Sequence, residues 1–310
     1  MNFRCRRKNH RVLFAFAMLF LFIACSSDDE KSNTGSASGN TSMLSEGNIS
    51  SLGFLGFRES VSRNSGNINA YFLEFNESIS AKSALETFGF LTSLTEDSCE
   101  LEINSPGIRT EDTIVIDGVT PRSLTAGEVI LVSSPAGSFV ELKPGEVLSL
   151  GGEPLGFTDY SDYDADSDSN TAPLPYPMGL TIDIPGDEFP SFSSVAVPDV
   201  EPFVLISSRD ENDSFGIFEQ VRWEAREVEG AKIVLYVNDT YAGNNGQPST
   251  QAVLNCVLID DGSFFLDIAM QELLTEAGIL SLPLQLSRVA QSIRRDGDTM
   301  LLVTRSSGLD

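Results

Sequence analysis

From Leu52 onward the apolar residues come in short alternating or β-branched runs, each closed by glycine, proline or an Asp-Gly pair. Period-two alternation puts successive side chains on opposite faces of a strand, and runs this short do not make helices with a wide buried face. Residues 70–75 (AYFLEF) read as one strand, and Cys99-Glu100-Leu101-Glu102-Ile103 as a second, half-buried one ended by Ser105-Pro106-Gly107. Thr113-Ile114-Val115-Ile116 is a third run, closed by Asp117-Gly118, while Ser83 to Thr87 reads as a short turn of helix. Ala126-Gly127-Glu128-Val129-Ile130-Leu131 is echoed by Pro144-Gly145-Glu146-Val147-Leu148-Ser149, with Ser138-Phe139-Val140-Glu141-Leu142 between them. That region predicts an antiparallel meander. Leu180-Thr181-Ile182-Asp183-Ile184 adds another strand before Pro185, Pro190 and Pro198.

The proline-rich stretch places a domain boundary near residue 200. Beyond it, strands are expected at 203–207, 218–225, 231–238, 252–259, 282–289 and 299–305, with a short one at 263–266. Asp260-Asp261-Gly262 is a tight-turn signal. Asp267 can cap a short helix over 268–277, ended by Gly278, with Ile268, Leu273 and Leu274 expected to face the core. The expected fold is therefore all-β. It comprises two antiparallel β-sandwich-like domains, 50–199 and 200–310, the second immunoglobulin- or fibronectin-like with one short helix.

What precedes the strands fixes a location. Arg4, Arg6, Arg7, Lys8 and Arg11 form a basic head, and thirteen apolar residues follow from Val12 to Ala24. As a helix these reach roughly 20 Å, too short to span comfortably a hydrocarbon core about 30 Å thick. The length suits an export leader, with the small residue Ala24 at a cleavage point. Phe22-Ile23-Ala24-Cys25 resembles a bacterial lipobox, with Phe22 where leucine is commoner. The resemblance implies cleavage before Cys25 and lipidation of its thiol, so that 1–24 is a lipoprotein signal peptide. Ser26 after the cysteine, rather than aspartate, implies the outer membrane, on its periplasmic face or at the cell surface. Several acyl chains, at about 0.8 kcal/mol per buried methylene, anchor stably. Residues 25–49 then form a flexible linker rich in Ser, Asn and Gly, with a reach of roughly 25–30 Å.

Charge and histidine content narrow the function. The chain carries 20 basic and 45 acidic residues, a formal charge of −25, and the five basic residues of the head would leave with the leader. Such a surface repels nucleic acid. The single histidine, His10, lies in the leader. A mature chain without histidine excludes Ser-His-Asp and Cys-His catalysis and imidazole metal sites. Of the four cysteines, Cys5 would be removed and Cys25 lipidated, leaving Cys99 and Cys256, which are expected to pair in a disulfide-permissive compartment.

Three groups of residues are candidate sites. Asp162, Asp164, Asp166 and Asp168 alternate within the acidic stretch 159–170, a spacing that lets carboxylates converge on calcium, although Ser167 and Pro173 occupy EF-hand positions that require glycine and glutamate. Like charges in a solvated loop explain the same stretch without a metal. Asp183, Asp187 and Glu188 flank Pro185-Gly186, and paired carboxylates are glycosidase and aspartic-protease equipment; turn acids are also ordinary. Trp223, inside an alternating strand, is expected in the core rather than on a binding face.

Four further segments extend the resemblance to β-rich lipoproteins of Gram-negative bacteria. They are Asp97-Ser98-Cys99, Ala126-Gly127-Glu128-Val129 with Ser134-Pro135-Ala136-Gly137, Ile184-Pro185-Gly186-Asp187, and Cys256 followed by Asp261-Gly262-Ser263-Phe264. This resemblance implies no catalytic residue, ligand or cofactor. The expectation is a lipid-anchored, noncatalytic envelope module. It would bind the membrane through its anchor and an envelope protein or glycan through its body. The alternative is a carboxylate-dependent hydrolase, calcium-assisted if the aspartates bind the ion.

Overall fold

Strands make up 58% of the described residues and helices 7%, so the fold is all-β, as the alternation requires. The structure, a computed structural model, describes residues 46–88, 97–104, 116–150, 153–161, 163–164, 169–170, 172–207, 214–226, 230–241 and 250–309. All of these fall within one compact unit, 39–310.

In chain order the first elements are β1 (Asn48–Ser60), β2 (Ser65–Ser80), helix α1 (Ala81–Phe88), β3 (Ser98–Asn104), β4 (Arg122–Ser123) and β5 (Ile130–Ser134). There follow β6 (Gly137–Leu150), β7 (Glu153–Ser161), β8 (Tyr163–Asp164), β9 (Ser169–Asn170), β10 (Thr181–Ile184) and β11 (Phe192–Ala196). The remainder comprises β12 (Ser214–Gly216), β13 (Val221–Arg222), β14 (Ala231–Tyr241), β15 (Thr250–Leu258) and β16 (Ser263–Phe264), then α2 (Ile268–Glu276), β17 (Ser281–Pro283), β18 (Leu286–Asp296) and β19 (Thr299–Gly308).

Thirteen strands join in one sheet, in the order β11-β10-β5-β6-β7-β2-β1-β19-β18-β14-β15-β3, with β4 also on β2. Among the described residues its one parallel pair, β1 with β19, aligns Ser51–Ser60 against Thr299–Gly308. The sequence of β19, TMLLVTRSSG, explains this central place. It is buried almost throughout, and its apolar run Met300-Leu301-Leu302-Val303, without alternation, is what a strand covered on both faces needs. Gly53 in β1 serves the same packing: a Cβ there would meet Leu301 at 2.7 Å, Phe189 at 2.8 Å and Phe72 at 3.0 Å.

The boundary expected near residue 200 coincides with a change of core, but the sheet crosses it. One cluster joins Leu55, Phe57, Phe72, Tyr160, Ile182 and Phe189 to Leu301 and Val303 of the last strand. A second joins Phe203, Trp223, Leu235, Leu254, Cys256 and Leu286, with Cys99, Leu101 and Ile103 of β3 packed against it. Thus β19 feeds the first core, and β3 feeds the second. The apolar face of β3 finds cover only beside strands far along the chain, and β1, paired on one side with its neighbour β2, takes the last strand on the other; local sequence carries no record of those distant partners.

Over the second core lies a layer of two small sheets, β12–β17 and β13–β16, together with α2. Asp267 caps α2 by accepting from the Met270 amide at 2.8 Å, and Gly278 takes up φ +77° after it. Only part of the expected inward face of this helix holds. Leu274 is buried, whereas Ile268 and Leu273 point outward. At 100° per residue, positions 268, 273 and 274 cannot share one stripe. Gln271 takes the second buried place, its amide donating to the Leu266 carbonyl at 2.7 Å.

The Ala126/Pro144 echo is not a structural repeat. Its second copy lies within the long strand β6, while its first runs from a loop, with Gly127 at φ +104°, into the opening residues Ile130 and Leu131 of β5.

Candidate functional site

The carboxylates around Pro185-Gly186 come together, and what brings them together is a turn. Gly186, at φ +84°, donates its amide to the Ala126 carbonyl, and the Phe189 amide donates to that of Thr125. A Cβ on Gly127 would meet Pro185 at 2.5 Å, so glycine lets the two loops touch. Onto this contact the acids fold. Asp187 accepts from the Thr125 hydroxyl at 2.7 Å, and Glu188 from the Thr125 amide at 3.1 Å and from Arg122 at 3.1 Å. Arg122 also donates to Glu74 at 2.8 Å, tying the turn to β2. Asp183 points elsewhere and accepts from the Ser194 amide at 2.8 Å. Beneath, the buried Tyr160 hydroxyl accepts from the Ala126 amide and donates to the Gly127 carbonyl, each at 2.9 Å. Burial pushes the Tyr160 hydroxyl pKa up.

The Thr125 amide, followed by Arg122, holds the Glu188 carboxyl below its ordinary value. Its folded value therefore lies under the unfolded one. The stabilisation is present above the unfolded value and is lost as pH falls through the folded one. In Arg122→Ala we expect the Glu188 midpoint to rise but to stay below the ordinary glutamate value, because the Thr125 amide remains. Carboxyl-carbon NMR titration measures this. An unmoved midpoint would mean that the arginine contributes nothing to the turn.

A second polar group sits inside the second core. The Trp223 indole donates to Asp260 Oδ1 at 2.7 Å, and Arg288 Nε donates to Asp260 Oδ2 at 2.7 Å. The remaining Arg288 donors reach the carbonyls of Glu201, Pro202 and Glu224 at 2.9–3.1 Å. Its guanidinium also lies 5.9 Å from the Phe203 ring centre. Trp223 is thus a core residue, as expected. Asp260, read from sequence as part of an Asp-Asp-Gly turn, lies in that bend and is also the counter-charge of a fully buried arginine. Gly262, at φ +92°, makes the turn, and Asp261 accepts from the Ser263 amide at 3.1 Å.

Arg305 plays a similar part in the first half. It donates to the carbonyls of Tyr176 at 2.6 Å and Pro177 at 3.0 Å and to Glu59 at 3.1 Å, leaving Nε buried without a partner. Burial pushes the Glu59 carboxyl pKa up, against the opposing pull of Arg305. Sequence reasoning missed both arginines. A charge at an inward position of an apolar strand, as in Leu286-Ser287-Arg288-Val289-Ala290, is the signal that points to them.

Cys99 and Cys256 face each other across β3 and β15 and are joined by a disulfide. Cys25 lies outside the described residues, as do Asp162, Asp166 and Asp168; Asp164 is in β8, with its side chain undescribed. Among the described residues no group of three or more His, Cys, Asp or Glu is placed to hold a metal ion, and no helix is long and apolar enough to cross a membrane.

The sequence matches no protein-family model and no curated protein, and the structure matches no solved structure.

Proposed function

We propose that this chain is a lipid-anchored, noncatalytic β-rich module of the cell envelope. It is tethered to the outer membrane through Cys25 and presents its body to partners there. The observation that carries the noncatalytic reading is the turn at Pro185-Gly186. Carboxylate-pair hydrolysis needs two carboxylates flanking a common reacting bond. Asp187 and Glu188 instead converge on Thr125 and Arg122, as braces for two touching loops. The buried charges Arg288 and Arg305 are likewise directed at backbone carbonyls and carboxylates of the fold itself. The location rests on the basic head, the thirteen-residue apolar run and the lipobox-like residues up to Cys25. A strongly acidic body suits an exported, solvated surface and disfavours nucleic acid.

Fractionation of cells expressing Cys25→Ser tests the tether. We expect the wild type in the membrane fraction, with the mass increment of acyl chains on its N-terminal peptide. The variant should lack that increment and be lost from the outer membrane. A variant cut at the same bond and retained as firmly would remove the lipid anchor from the account.

A further inference from the structure

The layer formed by the two small sheets and α2 carries an apolar outer surface that the function above does not use. Seven of the eleven exposed large apolar side chains among the described residues lie on it, each between 43% and 70% exposed. Backbone hydrogen bonds connect them in order. Val204 and Ile206 lie on a segment bonded to Arg222 and Glu224, and β13 beside it pairs with β16. Phe265 follows β16, and Ile268 and Leu273 stand on α2. Leu280, after the helix, accepts through its carbonyl from Ile217, next to Phe218.

The parity of the strands puts these residues outward. Leu205 forms a bridge with Trp223, and both pack into the second core, so Val204 and Ile206 must face away, alongside Arg222 and Glu224. The same alternation turns Phe264 in and Phe265 out.

We propose that this outer layer is an interface between two copies of the chain. Two phenylalanines of ~150–250 Å² each and five smaller aliphatic side chains, all about half exposed, amount to roughly 500–700 Å² of apolar surface. A soluble monomer rarely leaves more than ~300–600 Å² of contiguous apolar patch uncovered, and a stable interface takes about 800 Å² from each partner. The layer carries charges of both signs, of which Glu224 is already paired with Arg226. Arg222 stands beside Ile206, while Glu272 and Glu276 flank Leu273 on the helix. None of the three makes an ion pair among the described residues. A two-fold axis lays each end of such a patch on the other end of its copy, bringing the arginine to the glutamates twice. The net charge of −25 opposes association. Screening beyond about 8 Å at physiological salt confines the contest to charges near the interface.

Sedimentation of the full chain in mild detergent, from nanomolar to tens of micromolar protein, tests this. The wild type should pass from monomer to dimer. Phe265→Asp/Ile268→Asp should weaken the dimer on the order of a hundredfold or more. Val61→Asp, a change at an exposed residue outside the layer, should leave it intact. Unchanged melting of each variant monomer shows that folding is not the cause, and Leu273→Asp serves if the double variant fails that check. A photo-crosslinker at position 273 in intact envelopes should give a covalent species of twice the chain mass. A monomer at every concentration overturns the proposal. So does a dimer indifferent to the aspartates, or a position-273 crosslink only to some other protein.

Discussion

Arg288→Ala is expected to lower the unfolding free energy by about 3–5 kcal/mol, the range for removing one partner of a buried ion pair. The Arg288 side chain is fully buried and that of Asp260 is 8% exposed, so water cannot replace the lost guanidinium. The carboxylate would keep only the Trp223 indole, and the carbonyls of Glu201, Pro202 and Glu224 would lose their donors together. Urea unfolding followed by tryptophan fluorescence measures the loss directly, because Trp223 is the only tryptophan and belongs to the network. Asp260→Asn should fall in the same range, since it leaves the arginine charge uncompensated. The double variant Arg288→Met/Asp260→Asn should cost less than the two single changes added, because no buried charge is then left alone. A loss below about 1 kcal/mol in Arg288→Ala would show that the pocket admits water and that the network holds nothing together.

The disulfide gives the second large effect. Cys99 and Cys256 are 157 residues apart, and the chain-entropy relation gives about 5 kcal/mol for so long a loop, an upper figure within the observed 2–5 kcal/mol. Here the bond does more than shorten the unfolded chain. Among the described strands β3 is an edge, paired only with β15, and the chain on either side of it must return from the distant first half. In Cys99→Ala/Cys256→Ala we expect β3 to open below the global transition. Hydrogen exchange at the backbone amides of residues 98–104 should lose protection well before β14 and β19 do. Equal protection in the variant and the wild type would show that Leu101 and Ile103, packed against the second core, hold the edge without the covalent link.

Several elements were legible in the residues themselves. The alternation of Cys99 to Ile103 marks a strand with one buried face, and Asp267 with Gly278 marks both ends of α2. The chemistry of these signals is local: a period, a cap, a glycine with positive φ. The candidate acids were legible only as a group. Asp183, Asp187 and Glu188 look alike in sequence. Their difference lies in Thr125, Arg122 and Ser194, which the fold brings to them from other segments.

The inner-facing arginines show the limit most clearly. Arg288 interrupts an apolar strand, and Arg305 lies inward just beyond the apolar run 300–303 of another, which marks them as unusual. Nothing near them in the chain identifies Asp260 or Glu59 as the carboxylate that each would meet.

The sequence by itself determined that the chain forms strands, where most of them lie and how α2 is capped, because alternation, β-branching and capping act within a few residues. Only the tertiary structure decided that the first strand lies parallel to the last, that β3 joins the far half of the sheet, and that α2 buries Gln271 while exposing Ile268. Those outcomes depend on which apolar faces cover one another most completely. That is a property of the whole packed chain, and the hydrophobic effect that drives it does not depend on distance along the sequence.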